Sequence, residues 1–268
     1  MDPLRSPRTT RLALALGALL CLPVAAQAAS CTAASGERRV ALLELYTSEG
    51  CSSCPPADRW VSELPGRGFN AERVVVLGFH VDYWDYIGWA DPYAQRRFSE
   101  RQRHANVRNG TRFVYTPQLM LDGKDYRRGF LRDDIATAIA AINQQRPGAR
   151  LSLTLVPSSA AVEARAEVEV PDPITSGSAD IYLALLEHRL GNHVTAGENR
   201  GRRLVHDFVV RELAGPFPAQ HAPPPAHRFK IAPDWKTGDL SVAVFAQMRE
   251  SGFILQALAL PYCQRTKQ

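Results

Sequence analysis

The chain has 268 residues, with 32 Lys and Arg against 27 Asp and Glu, and 45% of its side chains are apolar. The formal charge of +5 is scattered among carboxylates, as in Arg132-Asp133-Asp134, which argues against nucleic acid or an anionic membrane as partner. No Gly-rich dinucleotide fingerprint is present, so no organic cofactor is expected.

At the N-terminus, Arg5, Arg8 and Arg11 precede the apolar run Leu12 to Val24, and Ala26-Gln27-Ala28 supplies small residues for a signal peptidase. Residues 1–28 therefore read as a signal peptide cleaved after Ala28, which places the protein in the periplasm or outside the cell. About 13 apolar residues are too few to span a bilayer, which takes roughly 20. No later segment qualifies, so the mature chain is expected to hold no integral membrane segment. Ala28-Ala29-Ser30-Cys31 loosely matches a lipobox, and a lipid anchor at Cys31 is the second reading. Cleavage removes three arginines and one aspartate, leaving +3 on about 240 residues, enough for one large or two small domains.

From Val40 the chain alternates strand-like and helix-like segments. Val40 to Tyr46 is an apolar strand with Glu44 embedded in it, and the turn Thr47 to Cys54 leads into a helix from about Pro56 to Leu64, stopped by Pro65-Gly66. Val74 to Val81 is a strand apolar enough for burial on both faces. Asp91-Pro92 reads as the start of a polar helix running to about Val107, ended by Asn109-Gly110. A strand from Phe113 to Leu121 carries Thr116-Pro117, and Asp122-Gly123 marks a hairpin to a short strand at 126–129. Asp133 to Gln145 is an amphipathic helix through Ile135, Ile139 and Ile142, closed by Arg146-Pro147-Gly148. The order β-α-β-α-β-β-α defines a layered α/β domain over residues 37–147.

Beyond it, residues 150–263 read as a β-rich domain. Arg150 to Leu155, Val162 to Val170, Ile181 to Glu187, Leu204 to Leu213, Phe229, Leu240 to Gln247 and Phe253 to Leu260 are strand-like, and the expected architecture is a small, all-β, sandwich-like unit. Pro216 to Pro225 is expected to be a surface loop.

Cysteine usage is more telling than charge. Cys21 leaves with the signal, and Cys31, Cys51, Cys54 and Cys263 remain, an even number in an oxidising compartment. Cys51 with Cys54 is the local pair, which leaves Cys31 with Cys263 as a structural disulfide or as two free thiols. Cys51-Ser52-Ser53-Cys54 follows a strand and opens a helix, a context that favours redox chemistry over a structural staple. A zinc site would need two more ligands, and no second CxxC or closely spaced histidine pair offers them, so no metal site is expected.

Three segments carry a resemblance: Glu44-Leu45-Tyr46-Thr47-Ser48-Glu49-Gly50-Cys51-Ser52-Ser53-Cys54-Pro55-Pro56-Ala57-Asp58, then His80 to Asp85, then Tyr115-Thr116-Pro117-Gln118. With Gly197-Glu198-Asn199-Arg200-Gly201 in the second half, they resemble the bacterial exported family called domain of unknown function 1223, within the thioredoxin-like superfamily. The resemblance implies a thioredoxin-like fold for the first domain. It implies Cys51 as attacking thiolate and Cys54 as resolving thiol, with Thr116-Pro117 as a cis-proline turn that presents backbone to a substrate. Glu44 resembles the buried acid of thioredoxin, although one residue farther from its cysteine, and would relay a proton to Cys54. The serine pair and Pro55-Pro56 depart from a strongly activated site, because the prolines remove two backbone donors from the helix start.

The carboxyl ends of parallel strands face one crevice, so His80, Asp82, Tyr83, Trp84 and Asp85 form the candidate substrate groove. The expected function is an exported thiol-disulfide oxidoreductase acting on a protein or small-molecule thiol or disulfide. A periplasmic copper carrier using Cys51, Cys54 and His80, and a non-catalytic binding module with a structural disulfide, are the alternatives. The polar stretch of His193, Glu198, Asn199, Arg200, Arg202, Arg203 and His206 is expected to be a solvated hairpin with local ion pairs.

Overall fold

Alternation decides how the strands are used. In the computed structural model, which describes residues 30–127, 131, 134–220 and 223–263, Ala41, Leu43 and Leu45 face one side of a sheet and Leu42 and Tyr46 the other, so their strand is buried on both faces. The expected signal peptide at 1–28 lies outside the described residues, as does the end of the strand expected at 126–129. The described strands are β1 (Cys31–Ala34), β2 (Ala41–Thr47), β3 (Val74–His80), β4 (Gln118–Leu121), β5 (Lys124–Asp125), β6 (Arg150–Pro157) and β7 (Ala161–Glu169). They continue with β8 (Ala179–Glu187), β9 (Leu190–His193), β10 (Arg203–His206), β11 (Val209–Pro218), β12 (Ala226–Lys230), β13 (Leu240–Met248) and β14 (Ile254–Pro261). The described helices are α1 (Pro55–Glu63), α2 (Arg96–Arg108), α3 (Ile135–Asn143) and the single turn α4 (Pro173–Gly177).

A thioredoxin-like α/β domain followed by a small separate β-sandwich is not what these elements build. Strand predominates, and strands from both halves join one mixed eight-stranded sheet in the order β14-β13-β8-β11-β3-β2-β4-β5. The join is between β3 and β11, which run parallel with Val209 opposite Gly78. The reason lies in β8 and β13. Their apolar residues continue without alternation, so each needs cover on both faces, which a two-layer sandwich of polar-out strands cannot give.

Three cores result. Ile181, Leu183, Leu185, Val242 and Val244 pack against the second sheet, four-stranded in the order β1-β6-β7-β12, through Leu151, Leu153, Val162 and Phe229. Ala184, Leu186, Ala243 and Phe245 face the opposite side, where Phe98 and Ala105 of α2 also cover Leu42, Tyr46 and Phe79. Ala41, Leu43 and Leu45 pack under α1 and α3, through Ala57, Val61, Ile135 and Ile139. The N-terminal strand β1 pairs with β6, far along the chain, and Cys31 lies at disulfide-bonding distance from Cys263, with their Cα atoms 6.1 Å apart.

Several local expectations need adjustment. Asp91 does not open α2: its carboxylate accepts from Tyr93 N two residues on, closing its own turn, and the helix starts at Arg96. The Asp122-Gly123 hairpin is present, with φ of 51° and 76° at the two residues, but β5 begins at Lys124 directly after it. β11 runs through Pro216 into the stretch expected as a loop, with an irregularity between Ala214 and Phe217 that absorbs the proline.

A capped cysteine pair at the carboxyl end of the sheet

Cys51 and Cys54 stand at disulfide-bonding distance between β2 and α1, with Cα atoms 5.4 Å apart. Both are fully buried, while Ser52 and Ser53 between them are exposed. Pro55 and Pro56 open α1 and carry no N–H, so the first amides of the helix to donate are those of Ala57 and Asp58, both to Cys54 O. The Ser53 hydroxyl lies 3.3 Å from Cys51 Sγ and supplies a donor that the helix start does not.

The cover comes from the second half of the chain. Asn199, fully buried, donates through Nδ2 to Glu49 O at 2.8 Å and to Cys51 O at 3.0 Å, and its own Oδ1 accepts from Arg202. Glu198 accepts from Ser52 N at 3.0 Å, and the bonds from Ser52 hold its carboxyl below the ordinary range. The stretch expected to be a solvated hairpin is thus the lid of the cysteine loop. β9 and β10 form the expected hairpin with His193, Glu198, Arg200, Arg202 and Arg203 exposed. Asn199 and His206 are buried instead and, with Glu198, bond across the molecule, the turns at 197 and 201 folding Asn199 inward.

Beneath the loop lies a buried polar network. The carboxylate of Glu49 accepts from Trp89 Nε1 and Asn192 Nδ2, both at 2.9 Å, and faces His206 Nε2 at 3.1 Å. Asp91 Oδ2 accepts from Glu49 N at 2.8 Å and meets His80 Nδ1 at 2.7 Å. The His80 and His206 rings meet edge to face, with centroids 4.8 Å apart. Burial works to raise Asp91, but the His80 ring and three hydrogen bonds outweigh it and hold the carboxyl low. For His206, burial works downward and is outweighed by Glu49, Asp58 and Asp91, so its pKa is raised. Asp58 sits one helical turn after Cys54, 3.9 Å from His206 Nδ1, and burial raises its carboxyl pKa.

The expected site residues divide. Trp84 bridges the cysteine loop and the proline turn: its Cβ lies 3.0 Å from where a side chain on Gly50 would begin, and its Nε1 donates to Thr116 Oγ1 at 2.8 Å. The Thr116–Pro117 bond is cis. Asp82 bonds Ser99 at 2.5 Å and Tyr83 donates to Gln102, both on α2, while Asp85 accepts from Asp91 N at 3.1 Å. Glu44 points to the opposite face of β2 from α1, where Arg101 Nε donates to it at 2.7 Å. Glu49, Asp58 and Asn192 join the site without any local sequence pattern that marks them. The glycine-framed run Gly197 to Gly201 is the sequence signal that points to the cover over the cysteine loop.

Metal binding gains nothing from this geometry. Among the described residues no group of three or more His, Cys, Asp or Glu side chains is arranged to hold a metal ion, and the His80 nitrogen nearest a carboxylate is taken by Asp91.

A mixed sheet with a CxxC loop closed over by its own second half is the class of protein defined here. The family model described as protein of unknown function (DUF1223) matches residues 42–247, and the chain belongs to that family. An X-ray crystal structure of an Agrobacterium tumefaciens protein superposes with a TM-score of 0.61 at 24% identity, covering 87% of this chain and 99% of that one. HBP35 of Porphyromonas gingivalis superposes with a TM-score of 0.60 at 14% identity, covering 87% and 80%. No curated protein matches the chain. Among the described residues no helix is long and apolar enough to cross a membrane.

Proposed function

We propose that the protein is an exported thiol-disulfide exchange protein acting through Cys51 and Cys54. The observation that carries this reading is the cysteine pair itself: it sits at bonding distance at the carboxyl end of a sheet, with two exposed serines over it and Thr116-Pro117 tied to its loop through Trp84. The signal peptide read at 1–28 and the Cys31–Cys263 pair support an oxidising compartment.

In the reducing direction the Cys51 thiolate attacks one sulfur of a substrate disulfide, forming a mixed disulfide and releasing one substrate thiol. Cys54 then loses its proton and attacks Cys51 Sγ, which releases the second substrate thiol and leaves the Cys51–Cys54 disulfide. Two electrons pass to the substrate, and the reverse sequence oxidises a dithiol. The full burial of both cysteines supports a second reading, a structural staple that fixes the loop under Asn199.

Insulin reduction by wild type and Cys51→Ser, with the reduction potential of the pair measured against glutathione, separates the two. Exchange requires turnover that Cys51→Ser abolishes. Equal turnover by both proteins, or a pair that glutathione and dithiothreitol leave untouched in the folded state, leaves only the staple.

A further inference from the structure

At the opposite end of β3 the eight-stranded sheet opens. β3 pairs along its whole length with β2, but on its other side it meets β11 only at Gly78. Gly78 N donates to Phe208 O at 2.7 Å, and a Cβ at Gly78 would stand 3.2 Å from that oxygen, so the approach depends on glycine. Toward the start of β3 the strands part and leave a cleft of about 250 Å³. Phe69, Val75, Leu186 and Phe208 give it apolar walls, and His188 and Ser241 give it a hydrogen-bonded polar pair.

That pair has a definite sense. Phe208 N–H donates to His188 Nδ1 at 3.3 Å, which leaves the proton of the neutral ring on Nε2, 2.9 Å from Ser241 Oγ. Burial lowers the His188 pKa and so favours the neutral ring. His188 therefore donates to Ser241, and the serine proton has no acceptor among the described residues. The same tautomer rules out His188 as a base toward Ser241, since Nε2 already holds its proton. Phe208 keeps its N–H in this position at φ 59°, a conformation costly for a residue with a side chain.

We propose that this cleft binds a small, mostly apolar molecule with one carbonyl oxygen, a single ring or a short acyl chain, and that the Ser241 hydroxyl donates to that oxygen. Size sets the class: an apolar cavity of about 150 Å³ holds benzene, and sites for larger ligands begin near 300 Å³. The cleft is centred on Val75, about 16 Å along β3 from His80, so it does not depend on what the cysteines do.

The test titrates the ¹⁵N-labelled full chain with acetophenone and, separately, with ethylbenzene, a close isostere without the oxygen. Saturable shifts of the Val75, Leu186 and Ser241 amides are expected with both, acetophenone binding about five- to tenfold tighter, the worth of one hydrogen bond. Ser241→Ala should bring the two affinities together, and Ala259→Phe, which narrows the cleft wall, should remove both. Absence of saturable shifts in the wild-type chain, or equal wild-type affinity for the two compounds, overturns the proposal without recourse to either variant. Reduction of Cys51–Cys54 should leave both titrations unchanged.

Discussion

Asn199 and Cys51 are 148 residues apart in sequence, yet the Asn199 side chain donates to the Cys51 carbonyl at 3.0 Å inside a fully buried contact. With the second bond to Glu49 O, one amide holds both ends of the Glu49-Gly50-Cys51 turn.

Asn199→Ala removes both bonds, leaving buried Glu49 O without a donor and Cys51 O with only the Cys54 N–H at 3.2 Å. A loss of about 2 kcal/mol of unfolding free energy is expected in urea titrations, from the usual cost of one unsatisfied buried acceptor together with the lost second bond. Dithiothreitol should also reduce Cys51–Cys54 faster in this variant, because the cover over the pair is loosened. An unchanged reduction rate would mean that the 197–201 turn does not control access.

Ser53→Ala addresses the thiolate. With Pro55 and Pro56 removing donors from the helix start, the Ser53 hydroxyl 3.3 Å from Cys51 Sγ is the neighbouring group placed to hold a negative sulfur. The variant is expected to raise the Cys51 thiol pKa, read from the pH dependence of alkylation by iodoacetamide in the reduced protein. Alkylation profiles that coincide would remove Ser53 from the site.

The turn chemistry and the single elements were legible where local rules act alone: Asp122-Gly123 gave its hairpin, Pro65-Gly66 ended α1, and Ile135, Ile139 and Ile142 marked the buried face of α3. What failed was long-range assembly. Periodicity tells which face of a strand is buried but not which strand lies beside it, so nothing local paired β11 with β3 or β1 with β6. The unbroken apolar runs of β8 and β13 did hold a clue, since a sandwich strand has a polar face and these have none. The lid was missed for the same reason: Asn199 and His206 look like solvated polar residues until distant Glu49 is placed beside them.

The proton-relay role expected of Glu44 can be tested against its pairing with Arg101. Glu44 lies on the α2 face of β2, bonded to Arg101 with both side chains buried. Glu44→Gln and Arg101→Met are each expected to cost about 3–5 kcal/mol in unfolding free energy, since each strands the partner charge in the core. Neither should shift the reduction potential of Cys51–Cys54. A potential that moves with Glu44→Gln while one with Arg101→Met stays fixed would support the proton-relay role.

His206 makes stability depend on pH, and the sign follows from the direction of its shift. Its pKa is raised in the folded state above the ordinary 6.5, so its contribution is complete below that value and is lost as pH rises through the folded pKa. Asp91, held low, contributes above the ordinary carboxylate range and loses its contribution only as pH falls through its folded pKa, a separate acid window. His188, whose pKa is lowered, weakens the fold only below 6.5, where it must take up a proton. Asp58, raised by burial beside His206, lowers stability in the same sense as pH rises above the ordinary carboxylate range. The share of the decline above about pH 6.5 that His206→Gln removes is therefore the share assigned to His206. Urea unfolding at a series of pH values between about 6.5 and 9 should show falling stability in wild type and a shallower fall in His206→Gln, whose amide keeps a donor toward Glu49 without titrating. A wild-type profile that stays flat over this range would mean that His206 carries no proton beside Glu49 in the folded protein.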